Sequence, residues 1–210
     1  VAALFSAGES KSQERLGEVI ETTTTSFVAE SDQLHALPDL GALVRVGGRA
    51  SQPSYFGVVA FGETGGLDTS RRAVRRGGVD IHDEEVYQRH PELEHVLRTI
   101  FTVTVVGYSS GSVCHHVLPT QPVPLHYSVH PCSRSDVLAF TAEPRYLPMM
   151  LATSGELPPE MLLASHLRWV DGVLRDDHIW LADATRRLAR LMKRDYDRFS
   201  MIAQAIAPDI

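Results

Sequence analysis

Two cysteines and several of the ten histidines of this chain fall close together, and these are residue types that hold soft metals. Cys114, His115 and His116 are consecutive. His126, His130 and Cys132 share strand parity in the next extended stretch, as Cys114 and His116 do in theirs. If the two stretches paired in register, Cys114, His116, His130 and Cys132 would offer thiolates and imidazoles to a tetrahedral zinc. Their spacing matches no established zinc pattern, and Pro131 disturbs the strand beside the second thiol. The competing reading, a pair of buried thiols beside surface histidines, is the favoured one, and no metal is assigned.

Phosphate and acyl chemistry find less. There is no G-x-x-x-x-G-K-[ST]; the glycine runs Gly62–Gly66 and Gly107–Ser112 lack the lysine that reaches the phosphates, so ATP hydrolysis is not expected. No G-x-G-x-x-G opens a helix after a strand. Gly107-Tyr108-Ser109-Ser110-Gly111 misses the spelling of a nucleophile elbow and reads as a hairpin tip. The carboxylate pairs Glu84 with Glu85 and Asp176 with Asp177 sit where helix caps and solvent loops explain them. His166, Trp169 and Trp180 could line a pocket, but aromatic residues between helices read first as core filler. No cofactor and no nucleotide are expected.

Charge offers a different kind of site. Arg71, Arg72, Arg75 and Arg76 form a basic cluster answered by Asp80, Asp83, Glu84 and Glu85, and Arg187, Arg190 and Arg194 recur along the last helix. Charge runs usually form solvated faces; the functional reading is an anion or partner contact, since guanidinium forks match carboxylate and phosphate. A net charge of -6 opposes a generic nucleic-acid coat, which draws its affinity from Lys and Arg.

The elements that must carry these groups change character along the chain. The 210 residues are 43% hydrophobic and 22% charged, an ordinary composition for one large or two small domains. Only two cysteines suggest a reducing, cytoplasmic setting, and no run of about 18 apolar residues could span a bilayer. The start lacks a basic stretch followed by a long apolar core and is a poor secretory signal; 1–13 reads as a flexible lead-in. From there to about 131, β-branched and apolar residues alternate with polar ones between Gly, Pro, Asp and Ser, the signature of strands. A charged excursion at about 68–99 carries a helix start at Asp83-Glu84-Glu85 and, after Pro91, the helical spacing of Leu93, Val96, Leu97 and Ile100, expected to lie against the strands. Beyond Ser133 helix formers dominate: a capped helix at Ser135–Phe140, a short one near Tyr146, one from Pro159 to about Asp176, and a last one from His178 to Ala205. That last helix should bury Leu181, Leu188, Leu191, Tyr196, Phe199 and Ile202 and turn its basic residues, Arg198 among them, to water.

Within the strand region, Gly17-Glu18-Val19, Thr23-Thr24-Thr25-Ser26-Phe27-Val28, Gly41-Ala42-Leu43-Val44-Arg45-Val46 and Gly57-Val58-Val59 follow one another in an order that resembles the HAS barrel. That small β-barrel is shared by HerA-type DNA-translocating ATPases and the ring subunits of rotary ATP synthases. The resemblance implies a packing module of a larger assembly, and no ATPase core follows it here. The expected architecture is α+β: a HAS-like barrel at 14–131 with the charged helical insertion, then a helical subdomain at 133–207. The expected function is a non-enzymatic assembly or adaptor role, in a homo-oligomer or with another protein. The alternatives are an accessory factor of a HerA-type machine that touches DNA through its arginines, and a small metal-dependent enzyme.

Overall fold

The computed structural model describes residues 15–47, 53–68, 73–153, 155–175 and 178–206. The front of the chain is an antiparallel barrel of six strands: β1 (Gly17–Thr22), β2 (Ser26–Ser31), β3 (Leu43–Gly47), β4 (Ser54–Gly66), β5 (Leu97–Ser110) and β7 (Ser128–Pro131), in the order β2-β1-β7-β3-β4-β5. Pairing of β5 with β2, from Ser26 opposite Thr104 to Glu30 opposite Ile100, closes the cylinder. Closure gives every barrel strand a partner on both sides over part of its length, which is how a small sheet limits the edges that could template aggregation. β6 (Val113–His115) folds back from β5 and pairs with Tyr108–Ser110, sharing an edge of β5 with β2 but lying farther along it.

Alternation decides which side chains fill the barrel. Val44 and Val46 of β3 and Phe101, Val103 and Val105 of β5 point inward with Val19, Phe27 and Val129, all essentially without solvent contact. Leu43, Phe56 and Val58 point outward and belong to a second core shared with the helices. The register of β4 against β5 shifts between Phe56 and Gly57, whose partners are Gly107 and Val105, so Val106 is an extra residue. This bulge lets the neighbours Val105 and Val106 serve the inner and outer cores respectively.

Among the described residues five helices follow: α3 (Arg134–Thr141), α4 (Leu147–Leu151), α5 (Pro159–Leu174), α6 (Ile179–Leu191) and α7 (Tyr196–Ile206). The chain is therefore α+β, and no described helix is long and apolar enough to cross a membrane. Ser133 caps α3: its hydroxyl accepts from the Asp136 N–H while the Asp136 carboxylate accepts from the Ser133 N–H. This fixes the entry of a helix whose Phe140 stacks on Phe56 of the barrel at 4.5 Å. Ser133→Ala is expected to cost about 1 kcal/mol in urea denaturation, and Ser133→Gly only a few tenths. Trp180 closes the same core, its indole N–H donating to the Thr141 carbonyl at 2.9 Å.

Several expectations need correction. The last helix is not continuous: α6 ends at Leu191, Met192 turns inward, and α7 restarts at Tyr196. The break takes Leu191 and Tyr196 out of the buried stripe, at 57% and 74% exposure, while Ile202 stays in the core. Arg198 does not simply face water; its guanidinium grips Glu160 at the start of α5 and pins α7 there. In the β4–β5 connection, α1 (Glu84–Arg89) and α2 (Leu93–Val96) are short and bury no residue. Leu97 and Ile100 belong to β5, so the apolar spacing read as a helical stripe straddles a helix and a strand.

Candidate functional site

The cysteine and histidine set does not assemble as pairing in register would require. β6 carries Cys114 and hangs on β5, whereas β7 carries His130 and lies between β1 and β3. His116 spends its ring N–H on the Phe140 carbonyl at 2.8 Å, His115 stacks on Tyr108, and His130 faces Arg45 across the β3–β7 ladder. His126 bonds Glu18 at 2.8 Å. Among the described residues no three Cys, His, Asp or Glu side chains group as a metal site. Burial, with the Asp136 carboxylate adding to it, pushes both thiols above their ordinary range, the reverse of what a nucleophilic or metal-ready thiolate needs.

The buried histidine has a different role. His166 sits on α5 without solvent contact, its Nδ1 2.7 Å from the Gly41 carbonyl and its Nε2 2.8 Å from the Tyr146 hydroxyl. A carbonyl can only accept, so Nδ1 carries the proton, and Nε2 accepts from the tyrosine. Burial lowers the imidazole pKa to about 4, with the carbonyl bond opposing, and it stays neutral. This chain of bonds ties the loop entering β3 to α4 and α5, a structural lock between barrel and helices. The expectation that His166 and Trp180 are core residues holds; Trp169 is half-buried and packs against both cores.

A cleft of about 530 Å³ opens outside the β2–β5 seam, under the segment joining α4 to α5. Thr25, Ser26, Thr102 and Thr104 line its barrel side, and Met149 and Leu162 its helical side. Ser26, Thr102 and Thr104 face outward because Phe27, Phe101 and Val103 occupy the alternate, inward positions, and Thr25 lies in the turn just before β2. Among the described residues that line it, Glu156 is the one with a charge.

The charged candidates separate by element. Arg71 and Arg72 lie outside the described residues, as do Asp176, Asp177 and the lead-in. Arg75 and Arg76 are exposed in the β4–β5 connection. There the Glu92 carboxyl is held below its usual range by its own backbone N–H, then by His90, with the charge of Arg76 adding least. Arg187 and Arg190 share a face of α6 with Asp183, which accepts from Arg187 at 2.7 Å; Arg194 follows in the turn. Among the described residues Arg190, Lys193 and Arg194 have no ion-pair partner.

Beside this basic face runs a groove of about 260 Å³ that the sequence did not announce. The segment Pro144 to Pro148 forms one wall and Arg187, Leu188 and Leu191 the other. No contiguous motif could have revealed it, since its walls come from helices some forty residues apart in the chain. Comparison with known protein families and with curated proteins finds no match to this chain.

Proposed function

We propose that this is a non-enzymatic assembly or adaptor protein, acting through protein–protein contacts of its barrel and helical region, within a homo-oligomer or a larger cytoplasmic complex. The observation that carries the reading is the α4–α6 groove, where the exposed Leu191 and arginines with spare donors lie on a body whose two cores are already filled. Kinship with HAS barrels is part of the reading. It is supported by the closed six-stranded barrel and by Val19, Phe27, Val44 and Val46, motif residues that point into it. Gel filtration with light scattering, together with isolation of the untagged protein from its source cells, tests the proposal. An oligomer or a stoichiometric partner is expected; a strict monomer that brings nothing with it would reject it.

A second reading, contact with DNA beside a HerA-type motor, has Arg187, Arg190, Lys193 and Arg194 in its favour. It predicts duplex binding that falls steeply with salt, each lost phosphate contact lowering the logarithmic salt slope by about 1. Absence of binding at low salt removes it.

A further inference from the structure

The α4–α6 groove has an apolar floor and a cationic rim. Leu147 and Leu188 are buried at its base, whereas Leu191 at its mouth is 57% exposed. Arg145 and Arg187 flank it, each bound to one carboxylate of its own chain, Glu143 and Asp183, at 2.7 Å. A guanidinium has five N–H donors, so both keep capacity for a second acceptor. Arg190, Lys193 and Arg194 continue the positive charge past the end of the groove, all exposed. In a chain with a net charge of -6, this concentration of cations around an apolar slot is a local reversal of sign.

We propose that the groove takes an acidic segment of a partner protein, with a leucine- or phenylalanine-type side chain seated against Leu147, Leu188 and Leu191 and flanking carboxylates paired with Arg145, Arg187 and Arg190. An amphipathic helix supplies both features, since residues three and four apart share a face. The volume suits one or two side chains. A polyanion without an apolar anchor, such as a nucleic acid, would use the arginines and leave the floor empty, so Leu191 separates the two kinds of ligand. The inference rests on the adaptor reading.

The test is fluorescence anisotropy with a labelled amphipathic peptide of glutamate and leucine at helical spacing. A glutamate–serine peptide of equal charge, a DNA duplex and anionic vesicles serve as comparisons. The leucine-bearing peptide should bind most tightly, and Leu191→Asp and Arg187→Glu should each weaken it by about tenfold or more, as loss of an interface hot spot does. Both positions are exposed, and circular dichroism checks that the variants fold. Equal binding of the serine peptide, duplex or vesicles, or unchanged affinity in Leu191→Asp, would overturn the assignment. So would a natural partner that stays bound to the Leu191→Asp, Arg187→Glu protein, an outcome that leaves the adaptor reading intact.

Discussion

Gly41→Ala should lower the free energy of unfolding by about 3 kcal/mol or more, seen as a lower urea midpoint with an unchanged slope. Gly41 has φ of +85°, a left-handed conformation that costs an L side chain about 1 kcal/mol. A Cβ there would also lie 2.5 Å from the His166 nitrogen and 2.6 Å from the Ser165 carbonyl carbon, both backbone atoms that no rotamer change can move. The residue is fastened from two further directions, its N–H donating to Val59 and its carbonyl accepting from His166. Relief of the overlap therefore means lifting α5 off the barrel. Gly172→Ala is the control. It lies in α5, where a Cβ would meet nothing within 4 Å, and it should stabilise by about 0.5–1 kcal/mol through helix propensity. Equal effects of the two substitutions would show that α5 is not seated on Gly41.

The same lock should make the fold acid-labile through His166. In the unfolded chain the imidazole titrates near pH 6.5, and in the fold near 4. Between those values the unfolded state binds the proton and the folded state does not, so stability is complete above about pH 6.5 and declines as pH falls toward 4. The loss is about 3 kcal/mol over that window. Protonation would put a charge in a site without solvent contact and leave Nε2 donating to a hydroxyl that has itself been the donor. His116, also lowered by burial with its bond to Phe140 opposing, adds in the same direction. Urea titrations of wild type and His166→Gln from pH 7 to pH 4 check this, since carboxylate contributions are common to both proteins. The wild type should lose about 3 kcal/mol more than the variant. Should the glutamine variant not fold, NMR titration of the imidazole nitrogens in wild type decides the matter: a midpoint near 6.5 would refute the assignment.

The groove extends this logic from stability to binding. The lock uses neutral groups because charge is costly where water is absent. The α6 face keeps its cations in water, where they lose little and, in the docking proposed above, would steer the approach of an acidic segment.

How much of this was legible depends on the range of the interaction involved. Strand identity was readable because alternation is local: Val44 and Val46, or Phe101, Val103 and Val105, declare a two-residue period in any context. A cap opening α3 was readable but misplaced by two residues: Ser135 was expected to open the helix, whereas Ser133 does, in a box with Asp136 three residues on. The stop between α6 and α7 was not, because no Gly or Pro marks it between Leu191 and Tyr196. The chain turns there to seat Ile202 in the core and to bring Arg198 to Glu160, a residue 38 positions earlier.

By itself, then, the amino-acid order determined an α+β chain with strands first and helices after, the segments that form them, and the residue types available for chemistry. Tertiary structure alone decided which of those residues meet. With β6 hanging on β5 and β7 inserted between β1 and β3, the two cysteine–histidine stretches that sequence proximity had grouped do not pair as strands. Docking of α5 on the loop before β3 made a lock of His166 and Gly41, and the approach of α4 to α6 made a groove from residues no motif connects. The reason is physical: side-chain direction along a strand or helix follows from neighbouring residues, but the partner an element packs against is chosen by burial summed over the whole chain.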